Sequence, residues 1–190
     1  MTLLINSNLY FMDAHEIFSP YATVALTAKK ELQQVEQKLK SETNRRNKAI
    51  LKKQRGGLKH LIDRCFRLTG DFMPVHVSKR AKDYCADNQL GDIFNIGWGG
   101  QTKFEKQVNR QGCQLKHEHK TPVTALIKRM CGATTLDEAV KIFESQEIVW
   151  VHKEEDEKLP KTKRPNPDEE YAKAGIEIIK NPNPIGHLFG

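Results

Sequence analysis

The sequence predicts a mixed α/β domain, a small mixed β-sheet flanked by helices, with a long basic helix near the N-terminus. Three observations carry this. A run free of glycine and proline, rich in helix formers, extends from Ala28 to about Arg55. Short apolar stretches with strand character recur in the centre of the chain. Helical periodicity returns between them after Pro122.

The elements follow in order. The first 25 residues, with Leu3, Leu4, Ile5, Phe11, Ile17 and Phe18, read as an apolar segment that joins the core. The Ala28–Arg55 helix places Ala28, Leu32, Val35 and Leu39 at helical spacing, and Gly56-Gly57 is expected to end it. A second helix is expected from about Leu58 to Leu68, and a third around Ser78 to Asn88 with Ser78 as its cap. GDIFNIGW, from Gly91 to Trp98, reads as a strand, followed by a glycine-bounded polar loop to about residue 112. CQLKHEHKTPV reads as a strand that breaks at Pro122. Helices at Val123–Met130 and Leu136–Glu144 follow, the second capped by Thr134 or Thr135, then a strand at Glu147–His152 running into an acidic helix start. Residues 1–160 form the expected domain. Residues 161–190, with a short helix near Pro167–Ala174, form a Pro-rich extension packed on it.

Composition sets the class. The chain has 190 residues, of which 38% are hydrophobic, enough for one core and too few for a membrane protein. No apolar run approaches the ~18–20 residues of a spanning helix, and the N-terminus lacks the pattern of a secretory signal. The expected location is the cytoplasm, with no membrane partner. Cys65, Cys85, Cys113 and Cys131 are widely spaced with no C-x-x-C pair, so they read as free thiols rather than zinc ligands. Lys and Arg outnumber Asp and Glu 31 to 24, a net charge of +7.

One constellation suggests chemistry. The chain contains three acid-x-lysine triplets, no more than chance places there, but only Glu118-His119-Lys120 falls on a predicted strand. The two-residue period puts Lys116, Glu118 and Lys120 on one face, which is costly on a core-bound strand unless these residues line a site. Asp92 opens the preceding predicted strand. If the two strands are neighbours, Asp92 and Glu118 can share a Mg²⁺ (or Mn²⁺), and Lys120 can stabilise charge developing on phosphorus.

An acid at a strand start, a hairpin, acid-x-lysine on the next strand, then helix and strand, resembles the PD-(D/E)XK nuclease core over about residues 91–151. The resemblance implies a restriction-endonuclease-like core and Mg²⁺-dependent hydrolysis of DNA phosphodiesters. Asp92 and Glu118 would hold the metal, and Asp92, Glu118 and Lys120 would be the catalytic set. Gly91 stands where the motif often has proline. Glu31, Glu36 and Glu42 are available for the upstream glutamate that many members use. Glu118-His119-x-x-Pro122 is also similar to the start of an HNH endonuclease motif, but the following helix offers neither the Asn nor the His which that family needs. Packing on the opposite strand face is the competing role for His117 and His119.

Charge points to a partner. Between Lys38 and His60 nine Lys or Arg face the single acid Glu42. Arg45, Arg46, Lys52 and Lys53 are the expected phosphate-binding residues, with Lys103, Lys106 and Arg110 of the central loop beside them. Double-stranded DNA is the expected partner, and a homodimer fits that reading. The non-enzymatic alternative is a small basic nucleic-acid-binding or inhibitor protein of phage or plasmid type. No Walker loop or G-x-G-x-x-G favours a nucleotide enzyme.

Overall fold

The computed structural model describes residues 14–70, 75–95, 113–161 and 164–181. The expected mixed α/β class is observed: among the described residues, seven helices surround a four-stranded mixed sheet. Helices α1 (Ala14–Ser41) and α2 (Arg45–Thr69) form an antiparallel hairpin, followed by strand β1 (Val75–Ser78) and helix α3 (Lys79–Asp87). Then come β2 (Leu115–His119), α4 (Val123–Gly132), α5 (Leu136–Glu144), β3 (Ile148–His152), α6 (Lys153–Asp156), α7 (Pro167–Lys173) and β4 (Ile178–Ile179). The strand order is β2-β3-β1-β4, with β1 parallel to β3 and the two outer pairings antiparallel.

The single helix expected over Ala28–Arg55 is two helices. The chain breaks at residues 42–44 because Asn44 caps α2, its side chain accepting the N–H groups of Arg46 and Asn47 at 2.9 and 3.2 Å. The reversal brings Leu32 and Val35 of α1 alongside α2, whose Ile62 and Phe66 are fully buried. That packing carries α2 straight through Gly56-Gly57, each of which costs about 1 kcal/mol in a helix interior. Helix α1 also begins earlier than expected, burying Phe18, Ala22 and Ala25 from the apolar N-terminal stretch.

The expected strand over Gly91–Trp98 is not seen at residues 93–95, which form a turn of 3₁₀ helix. The Asp92 carboxylate accepts the Phe94 N–H at 3.1 Å, and Gln89 and Gly91 take positive φ just before it. Trp98 and the loop with Lys103, Lys106 and Arg110 lie outside the described residues. Elsewhere local signals hold. Ser78 caps α3 by accepting the Ala81 N–H, and Thr135 with Glu138 forms a capping box on α5.

β3 is buried on both faces and divides the core in two. Ile148 and Trp150 face the main core with Phe66, Leu126, Met130 and Phe143, where the Phe66 and Phe143 rings stack 4.4 Å apart. Val149 and Val151 face a smaller cluster of Leu159, Tyr171 and Ile176, which packs the C-terminal segment onto the sheet. Cys65 and Cys85 are buried and Cys113 and Cys131 half-buried, all four as free thiols. Among the described residues no helix is long and apolar enough to cross a membrane.

Candidate functional site

Two polar regions stand out, one at a corner of the sheet and one on the helical hairpin. At the corner, β2 runs antiparallel to β3 with Glu118 opposite Val149, so Glu118 faces the smaller core and the C-terminal segment. Arg164, whose side chain is wholly buried, donates to the Glu118 carboxylate and also to the His119 and Lys120 carbonyls at 3.3 Å. Lys120 follows the end of β2. Its ammonium reaches Glu147 at 2.7 Å and Asp168 in the first turn of α7 at 2.8 Å. Burial works against that charge, but the hydrogen bonds to Asp168 and Glu147 outweigh it and raise the Lys120 pKa.

Glu147 is shared. His76 of β1 lies 3.5 Å from the same carboxylate oxygen, and the His76 ring also accepts the Asn181 N–H at 3.4 Å. His76 first, then Lys120, holds the Glu147 carboxyl down from 4.5 to about 2, against its partial burial. Four segments distant in sequence thus meet through His76, Glu147, Lys120 and Asp168.

Glu118 lies on β2 and Lys120, expected on the same strand face, just beyond its end, each already engaged by a residue of the opposite charge. Asp92 is exposed and closes its own turn, which packs against β1 and α3. Among the described residues no group of three His, Cys, Asp or Glu side chains is placed to hold a metal ion. With Glu118 neutralised by Arg164, the donors as placed do not fit a Mg²⁺ site. Of the three upstream glutamates, Glu36 lies 3.9 Å from Lys59 and Glu42 accepts the Asn44 N–H, while Glu31 is exposed.

His117 and His119 occupy the opposite face of β2. The His117 ring sits edge-on to Trp150 at 4.8 Å, and His119 is buried with its Nε2 3.5 Å from the Phe66 carbonyl. Burial lowers the His119 pKa, outweighing the hydrogen bond to that carbonyl. Both imidazoles are core-facing groups here.

On the hairpin, Arg45, Arg46, Lys52 and Lys53 are all exposed. Arg45, Lys48, Lys52, Arg55 and Lys59 recur at three- and four-residue spacing and form one stripe along α2. Among the described residues the only acidic partner of this stripe is Glu36, facing Lys59. Arg164, Asp168, Glu147 and His76 carry no signal in the sequence because their pairing depends on sheet register and on where α7 lands. The acidic first turn of α7 is the one local hint.

No family model, curated protein or solved structure matches this chain.

Proposed function

We propose that the protein binds the phosphate backbone of nucleic acid, duplex DNA foremost, through the exposed basic face of α2. The observation that carries this is the stripe Arg45, Lys48, Lys52, Arg55 and Lys59, flanked by Arg46 and Lys53, in which only Lys59 is ion-paired, to Glu36, among the described residues. Such a face neutralises phosphates without reading bases. No Phe, Tyr or Trp lies between Tyr21 and Phe66, so the hairpin offers no aromatic platform for unstacked bases and favours a duplex over a single strand. The test replaces Arg45, Arg46, Lys52 and Lys53 by Ala and titrates duplex DNA at several salt concentrations. Affinity should fall alike for all sequences, with a salt slope flatter by up to ~0.9 for each phosphate no longer neutralised. An unchanged slope would remove the hairpin from nucleic-acid binding.

A second reading, endonuclease action at Glu118 and Lys120, is favoured by the convergence of these two side chains with Glu147 at one corner of the sheet. It requires Arg164 and Asp168 to leave them. Cleavage of plasmid DNA with Mg²⁺ or Mn²⁺, abolished in Lys120→Ala while DNA binding persists, is the result this reading expects. Equal cutting by both proteins would end it.

A further inference from the structure

We propose that the groove between α1 and α2 is the docking site of an acidic amphipathic helix from a partner protein. Its apolar face lies apart from the stripe Arg45, Lys48, Lys52, Arg55 and Lys59, with Arg46 and Lys53 between the two. Ile50, Leu61 and Leu68 lie about half a turn around α2 from Arg45, Lys52 and Lys59. They remain 51%, 43% and 51% exposed, and Val24 of α1 is 43% exposed. Phosphate binding gives these four apolar side chains no role.

Beside Ile50 and Leu61 the hairpin is open. A groove of about 520 Å³ runs between the helices, lined by Val35, Leu58, Leu61 and Gly57, and a second of about 480 Å³ continues past Ile50 and Leu51. A Cβ at Gly57 would meet nothing within 4 Å, so neither crowding nor a turn demands this glycine. It instead leaves a flat place midway along the stripe, where another backbone can approach closely. From Ile50 to Leu68 the stripe is about 27 Å long, the length of a helix of about 18 residues.

Charge selects the occupant. Residues 14–69 carry thirteen Lys or Arg against five acids. Arg46, Lys53 and Arg64 border the apolar stripe on α2, and Lys38 lines both grooves from α1, with Glu31 in one groove and Glu42 in the other. A second copy docking by a two-fold axis would set these cations against themselves. A helix with an apolar seam and acidic flanks meets both the groove and its rim.

The test uses the full chain and a fluorescein-labelled peptide of about 20 residues, long enough to span the stripe with a short arm for the label. The peptide has leucines at helical i, i+3, i+4, i+7 spacing and glutamates on its other positions. A control carries lysine for glutamate. The glutamate peptide should bind wild type, and the lysine peptide should not. Leu61→Ser should weaken peptide binding by about tenfold while leaving duplex DNA affinity within about twofold. Gly57→Leu, which fills the groove, should weaken the peptide similarly. No binding of the glutamate peptide, equal binding of the lysine peptide, or binding unmoved by both variants would overturn the proposal. A concentration-dependent dimer in sedimentation that Leu61→Ser dissolves would also overturn it, assigning the groove to a second copy.

Discussion

The buried guanidinium of Arg164 closes on the Glu118 carboxylate, 46 residues earlier in the chain, and ties the C-terminal segment to the edge strand β2. The same side chain donates to the carbonyls of His119 and Lys120, so one residue satisfies both the charge and the backbone at this end of the strand. Breaking a buried pair from one side leaves the other group uncompensated. Arg164→Ala should therefore cost about 2–4 kcal/mol, measured by urea unfolding. Glu118→Gln keeps an acceptor for Arg164 and should cost less. Equal stability of wild type and Arg164→Ala would show that the pair contributes nothing.

The two glycines inside α2 give the opposite sign. Gly56 and Gly57 both have open space where a Cβ would stand. Gly56→Ala should stabilise the protein by about 0.5–1 kcal/mol, seen as a higher unfolding midpoint with an unchanged denaturant slope. A loss of stability would mean that α2 is not helical through this position.

Asn44 is the converse case. Its side chain satisfies two N–H groups at the start of α2, and Asn44→Ala should lower stability by about 1 kcal/mol. Asn44→Asp should largely preserve it, since the carboxylate accepts the same bonds and suits the helix dipole. Thermal unfolding of the three proteins decides the matter.

Acid should unfold the protein in two ranges. The folded state holds His119 neutral, whereas the unfolded chain protonates it near pH 6.5, so stability falls as pH drops below that value. Glu147, held down from 4.5 to about 2, contributes stability that is present above pH 4.5 and is lost as pH falls toward 2. His119→Leu should flatten the upper range and Glu147→Gln the lower one, in unfolding midpoints recorded across pH. A pH profile identical to wild type in either variant would refute that residue's part.

The core offers a calibration. Phe143 is fully buried, stacked on Phe66 and near Phe18, with ring centroids 4.4 and 6.3 Å away. Phe143→Ala should cost about 3–5 kcal/mol by urea unfolding, more than any surface change proposed above.

Features that act over a few residues were legible in the chain alone. Ser78 and Thr135 cap their helices wherever the chain goes, because a hydroxyl reaches only the next turn's N–H groups. The alternation that sets Glu118 apart from His117 and His119 is likewise a property of any strand. The run of cations on α2 and the mixed α/β class were legible for the same reason. The break at Asn44 was not, because the propensities on either side are equally helical and the reversal depends on α1 packing against α2. Packing also carries α2 through Gly56-Gly57, since the burial of Leu58, Ile62 and Phe66 outweighs a cost of about 1 kcal/mol per glycine. The environment of Glu118 and Lys120 is set at the same level. Their charges are neutralised because β3 is preceded by Glu147 and the C-terminal segment presents Arg164 and Asp168, and no spacing along the chain encodes that meeting.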